Sequence, residues 1–304
     1  MVARKEQATE EKREAGVEKT ADGGLKALVV EGGAMRGVFT TGVLDAFLEH
    51  RFNPFDLSLG VSSGAGNLAA YLAEMPQRNL KIYTDYSLRP EFMSLPRFLT
   101  GGHLVDLDWL WRITISEIRL DLETIYAAGK SFLVVLTDVE TGKAVYRQTG
   151  PQDLEQVLKA SSAMPVLYRD FPLVDGRSMA DGGLSDPIPA VEAIMQGADR
   201  IMVLRSRPRA YRKTGGILQQ VLLWHLRSFP RLKQTAAVRI QKYNDTLSII
   251  RNPPPGVFIQ EICPPPGFRT SRLSRDPQSL HDGYRQGVRL AETAMGRWES
   301  PPSG

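Results

Sequence analysis

The stretch from Leu57 to Glu74 reads LSLGVSSGAGNLAAYLAE, and it limits the fold more than any other part of the chain. Leu57 to Val61 is a short apolar run suited to a buried parallel strand. Gly64 to Glu74 is rich in small and apolar residues and reads as a buried helix. Between them, Gly60-Val61-Ser62-Ser63-Gly64 must turn the chain sharply. Glycine on either side of Ser62 lets neighbouring backbone pass without Cβ clashes. A serine held there projects its hydroxyl from the sheet edge, with a helix N-terminus aimed at it. A G-x-S-x-G between strand and helix fits a nucleophilic serine; the competing reading is a tight turn without chemistry.

The same strand, turn and helix order occurs just upstream. Leu25 to Val30 (LKALVV) reads as a buried strand, and Glu31 to Gly37 is a glycine-rich turn. Val38 to His50 then places Val38, Leu44, Phe47 and Leu48 at helical spacing, and Pro54 ends the unit. Two such units in succession predict a parallel sheet with right-handed crossovers. Further strands are expected at Ser131 to Asp138, Ala144 to Arg147, Arg200 to Arg205 and Val257 to Ile262. Asp175-Gly176 predicts a hairpin turn within Phe171 to Ala180. Helices are expected at Leu154 to Ser162, Ile188 to Gln196 and Asp276 to Trp298, the last opened by a Ser274/Asp276-Pro277 cap. Leu80 to Lys130, with Trp109 and Trp111, holds two or three helices. The expected organisation is a disordered arm over 1–22, an α/β domain over 23–207 and a C-terminal helical extension over 208–304 that completes or packs on it.

Composition excludes several classes. With 304 residues, 42% hydrophobic and 24% charged, the chain can bury a core without cross-links. Its one cysteine, Cys263, cannot form an internal disulfide or a zinc cage, and reads as a small apolar residue in a reducing compartment. The formal charge of +4 is too small to argue for nucleic acid as a partner. The basic residues are nevertheless uneven: Arg205, Arg207, Arg209, Arg212 and Lys213 crowd together, followed by Arg227, Arg231, Lys233, Arg239 and Lys242. They form either a face for anionic lipid headgroups or a solvated surface. Ile217 to Leu232 interleaves apolar and basic residues. Packing on the core or on a second copy is the favoured reading, over an interfacial helix anchored by Trp224 and Phe229. No apolar h-region occurs in residues 1–22, and no apolar run reaches the roughly 18 residues of a membrane span. A cytoplasmic protein touching the inner face of a membrane is expected.

Two more motifs bear on chemistry. In Glu31-Gly32-Gly33-Ala34-Met35-Arg36-Gly37, adjacent glycines allow successive N–H groups to face one concavity, as an oxyanion requires. A nucleotide site is the rival, but Ala34 stands where a dinucleotide loop needs its second glycine. A phosphate loop needs Gly-Lys-Ser/Thr, whereas Gly37 precedes Val38 and Phe39. The other motif is Met179-Ala180-Asp181-Gly182-Gly183. A carboxylate at a strand end followed by glycines can face a cleft and take a hydroxyl proton if it reaches Ser62; the alternative is an ordinary Asp-Gly turn.

Together these motifs resemble the patatin-like phospholipase family, whose pattern is G-G-G-x-[R/K]-G, then G-x-S-x-G, then D-G-[G/A]. The resemblance runs from about Leu25 to Arg205, includes Ala160-Ser161-Ser162-Ala163-Met164-Pro165, and is nearest the bacterial branch with a basic C-terminal extension. It implies a three-layer α/β/α fold with a mainly parallel central sheet. It also implies a Ser62–Asp181 dyad acting through an acyl-enzyme, with no cofactor and no metal. Backbone N–H groups of Gly32, Gly33, Ala34 and Ser63 would form the oxyanion hole. Arg36 would meet a phosphate headgroup, or else brace its loop by pairing with Glu31 or Asp186. The implied partner is a phospholipid or other acyl ester, with peripheral membrane contact and a homo-oligomer as further expectations. Ala34 departs from the family's third glycine, and a positive φ there would be strained. A histidine triad is the competing chemistry. His50 and His103 are poorly placed for the order Ser, Asp, His; His225 sits within an apolar helix and reads as core or interface; His281 follows the aspartate in the right order but in helical surroundings. An acyltransferase or thioesterase with the same dyad, or a non-catalytic regulatory protein, are the alternative functions.

Overall fold

Strand β1 (Leu25–Val30) occupies the interior of the sheet, and the alternation of its side chains sets up the layers. In this computed structural model, which describes residues 24–299, Leu28 and Val30 point to one face. There they pack with Phe39, Val43 and Phe47 of helix α1 (Val38–Glu49) and Leu68 of helix α2 (Ser63–Leu72). Ala27 and Val29 point to the other face and meet Ala190 and Ala193 of a helix over Ala190–Met195. The arm expected over residues 1–22 lies outside the described residues.

The sheet has eight strands. β2 (Leu57–Val61) and β7 (Ala198–Leu204) flank β1 in parallel, β3 (Ser131–Asp138) runs parallel beyond β2, and β8 (Phe258–Ile262) runs parallel beyond β7. β4 (Ala144–Gln148) and the hairpin β5 (Leu173–Val174) and β6 (Arg177–Asp181) add antiparallel pairs at the β3 side. The fold is mixed α/β with a mainly parallel central sheet. The remaining helices, in chain order, are α3 (Arg78–Thr84), α4 (Leu95–Leu99), α5 (Leu107–Ile118), α6 (Leu122–Ala127), α7 (Leu154–Ser161), α8 (Ala190–Met195), α9 (Ile217–His225), α10 (Pro230–Arg251) and α11 (Pro277–Glu299).

The segment after 207 builds both outer layers and one strand of the sheet. Leu247 and Ile250 of α10 pack on the face that carries α8, whereas Ala291, Ala294, Met295 and Trp298 of α11 pack on the face that carries α1. Asp276 opens α11 as expected, accepting the N–H groups of Gln278 at 3.2 Å and Ser279 at 3.0 Å.

Ile217 to Leu232 packs on the core only in part. It is not one packed helix: α9 ends at His225, and α10 begins at Pro230, which suits a first helical turn because it lacks an N–H. Leu222, Leu226 and Leu232 are buried, but Leu218 is 83% exposed and Trp224 65%. The basic run is not a single face either, because Arg205 is completely buried. Among the described residues, no helix is long and apolar enough to cross a membrane.

Candidate active site

Ser62 sits at the end of β2 with φ 53 and ψ −127, a sparsely populated conformation that costs about 1–3 kcal/mol. The surroundings hold it there. A Cβ on Gly60 would lie 2.5 Å from Ala65 Cα, and one on Gly64 would lie 2.6 Å from the Val30 carbonyl oxygen. Only glycine permits that contact between strand and helix. The Ser62 N–H donates to Ser161 Oγ at 2.8 Å, and Ser161 Oγ donates to the Val135 carbonyl at 2.7 Å. The elbow is therefore tied to α7 and β3, and α2 starts at the next residue.

The position of Asp181 follows from strand register. β2 pairs with β3 from Ser131 to Val135, and β4 takes the opposite edge of β3 from Leu133 to Thr137. β6 pairs with β3 from Leu136 onward, opposite β4, and so occupies the edge that β2 vacates. Asp181 lies opposite Leu136, one residue past the last partner of β2, which brings it to the elbow. Its Oδ1 accepts the Gly183 N–H at 2.7 Å. Burial raises the Asp181 carboxyl above the usual aspartate range, against the Gly183 N–H, the adjacent Ser62 hydroxyl, and the charges of Arg272 and Arg239. The Ser62 hydroxyl is near enough to favour the ionised Asp181 carboxylate.

The glycine-rich loop is braced from below. The buried Glu31 carboxylate accepts from Arg205 Nε at 2.9 Å, the Ser206 N–H at 2.7 Å and the Tyr243 hydroxyl at 2.9 Å. Burial alone would raise Glu31, but Arg205 and these partners reverse the direction and keep it ionised. Ala34 adopts φ 49, the left-handed conformation that the departure from glycine made costly. The Gly33 N–H is engaged, donating to Ser63 Oγ at 2.9 Å. Among the described residues, the Gly32 and Ala34 N–H groups donate no backbone hydrogen bond. Arg36 forms neither expected ion pair. Its Nε and Nη2 donate to the backbone oxygen and Oγ of Ser206, both at 3.3 Å, Glu31 pairs with Arg205, and Asp186 accepts the Tyr146 hydroxyl.

Ser62, Asp181 and the loop line one cavity of mixed character. Its apolar lining includes Phe92, Met93, Val105 and Leu167, together with Leu107, Leu110 and Trp111 from one side of α5, and the buried Arg78, bonded to the Ile118 carbonyl, lines it too. Arg36, Arg207, Lys213, Arg239 and Arg272 also line the cavity and lie close enough to act on one another. None of the four histidines lines it, which removes the His281 triad. Cys263 does not line this cavity, and burial pushes its thiol up to about 12.

Comparison with known proteins supplies the family. The patatin-like phospholipase family model matches residues 28–194. The chain belongs to the patatin-like phospholipase family. A second match, to a domain of unknown function, DUF6363, covers residues 229–300. An uncharacterised Escherichia coli protein, YjjU, is 36% identical over 268 residues, which is 87% of this chain and 75% of that protein. An uncharacterised NTE-family protein of Mycobacterium bovis is 28% identical over 180 residues, 57% of this chain and 46% of its own length. Among solved structures, VipD from Legionella pneumophila aligns with a TM-score of 0.46 at 16% identity, covering 92% of this chain and 70% of that one.

Several residues of this patatin-like site escaped the sequence reading. Leu107, Leu110, Trp111 and Thr114 line the cavity and stand at the i, i+3, i+4, i+7 spacing of one helix face, a signal that was present. Ser161 lay inside a recognised motif, but its bond to the elbow has no local signature. Arg239 and Arg272 are distant in sequence from the Ser62 and Asp181 motifs, and nothing local marks them as cavity residues.

Proposed function

We propose that the chain is a lipid acyl-ester hydrolase of the phospholipase A or lysophospholipase type, with Ser62 as nucleophile and Asp181 as its only general base. The observation that carries this reading is the register of β3, which puts a buried, proton-avid carboxylate beside a strained serine at the wall of a half-apolar cavity. Asp181 accepts the proton as Ser62 Oγ attacks the ester carbonyl, then returns it to the departing alcohol. Water, deprotonated by the same carboxylate, attacks the acyl-enzyme carbonyl; the bond to Ser62 Oγ breaks, Asp181 returns the proton to Oγ, and the fatty acid leaves. The oxyanion is received by N–H groups from Gly32, Gly33, Ala34 and Ser63, for which the Ser63 hydroxyl must turn away from Gly33. The acyl chain lies along the apolar lining. Contact with a membrane surface is part of the proposal, through the exposed Leu218 and Trp224 beside Arg227. A fluorophosphonate probe tests the nucleophile: it should label the wild type and not Ser62→Ala. Labelling of Ser62→Ala, or none of the wild type, rejects it.

A further inference from the structure

The cationic part of the cavity wall holds more positive charge than the fold uses. Arg36, Arg207, Lys213, Arg239 and Arg272 converge on it, and among the described residues none of them forms an ion pair with a carboxylate. The nearby acids are engaged elsewhere: Glu31 with Arg205, and Glu261 with Arg205, Arg209 and Arg251. Arg36 is only 3% exposed, yet its Nη1 has no hydrogen-bond partner. A buried guanidinium with an unmet donor is costly unless a ligand completes it. The charges also oppose one another. Burial, then Arg272 and Arg207, pull Arg36 down to about 10, and burial, then Arg239 and Arg272, pull Lys213 down to about 7. An anion arriving among them would relieve that repulsion.

Four of the five cations lie beyond residue 194, outside the matched catalytic family region, and Arg239 and Arg272 fall within the matched segment of unknown function. We propose that this cluster is a phosphate subsite for the phosphomonoester headgroup of a glycerolipid, phosphatidic or lysophosphatidic acid in class, whose acyl ester lies at Ser62. This rests on the lipid hydrolase reading and narrows its substrate. A phosphomonoester carries nearly two negative charges at neutral pH and offers several acceptor oxygens. A choline or ethanolamine headgroup would bring its own cation against five others. Of the residues lining the cavity only Glu31 and Asp181 are acidic, the first paired with Arg205 and the second the catalytic base.

Binding to full-length Ser62→Ala protein tests the subsite without turnover, so its failure is separable from failure of the dyad, which the fluorophosphonate probe reads. Calorimetric titration compares dihexanoyl phosphatidic acid, dihexanoyl phosphatidylcholine and inorganic phosphate. Phosphatidic acid should bind at least about tenfold tighter than phosphatidylcholine. Inorganic phosphate should compete with it and bind more weakly, because it lacks the acyl chains. Adding Arg239→Gln and Arg272→Gln together should abolish the preference. Lys213→Met, at a partly buried position, should weaken it and serves if the double variant does not fold. Equal affinity for the two lipids overturns the subsite. Inorganic phosphate binding as tightly as phosphatidic acid overturns the lipid headgroup as its ligand. A preference untouched in the variants overturns the assignment to these residues.

Discussion

The two sides of the cavity are built on different principles. Around Ser62 and the Glu31–Gly37 loop, the N-terminal half works through backbone: strained turns, glycine contacts, and the Gly33 and Ser62 N–H groups held by serine hydroxyls. The segment after Leu204 works through side chains, with cations delivered from a loop, α10 and the stretch before α11. A backbone device tolerates almost no change of geometry, since an added Cβ meets main chain at 2.5–2.6 Å. A cluster of charges is adjustable, because each member contributes a fraction of the field. Changes on the first side should therefore abolish chemistry, and changes on the second should retune it.

The most severe test is the carboxylate. Asp181→Asn should lower kcat/KM on a short chromogenic ester by about 10⁴-fold, equivalent to about 5 kcal/mol of transition-state stabilisation. Retained activity within about tenfold would break the dyad. The same variant should melt no lower than the wild type at neutral pH. Burial raises the folded carboxyl above its unfolded value, so its stabilising contribution is full below the ordinary aspartate range and lost as pH rises through the folded value.

Next in size is the strain at the elbow. Ser62→Gly should be more stable than Ser62→Ala by about 1 kcal/mol, because glycine accepts φ 53 whereas alanine keeps the strain. Urea midpoints measure this, and equal midpoints would mean the turn is not strained. On the charged side, kcat/KM should rise with pH along one limb displaced above the usual carboxylate range, since only ionised Asp181 takes the proton. Arg272→Gln, assayed on an uncharged ester, should shift that limb higher, because Arg272 favours the carboxylate form. An unmoved limb would separate Arg272 from the base. The smallest effect is expected at Ala34→Gly, a gain of about 0.5 kcal/mol from relief of the left-handed backbone, partly offset by the more flexible unfolded chain. A destabilised Ala34→Gly would show that the methyl group packs better than the backbone suffers.

Much of the catalytic core was legible because its determinants are local. The apolar runs of β1, β2, β3 and β7, the Asp175-Gly176 hairpin and the Asp276 cap each depend on a few consecutive residues. The break at Phe229–Pro230 was also encoded locally, in the proline, although the apolar pattern runs across it. The exposed face of α9 was not legible, since its spacing shows apolar residues without showing which of them find a partner. The basic crowding at 205–213 was visible, but its division was not: Arg205 became a fully buried brace for Glu31, whereas Arg207 and Lys213 line the cavity.

What the sequence by itself determined is the local stereochemistry: a serine between glycines at a strand end, a glycine loop after another strand, and an aspartate before two glycines. Main-chain sterics act over a few residues, so such patterns survive translation from letters to geometry. Only the tertiary structure decided that β6 continues the edge where β2 stops, and that five cations separated in sequence gather in the wall of one cavity. Strand register and electrostatic convergence depend on distances through space between residues remote along the chain, and composition carries no record of them.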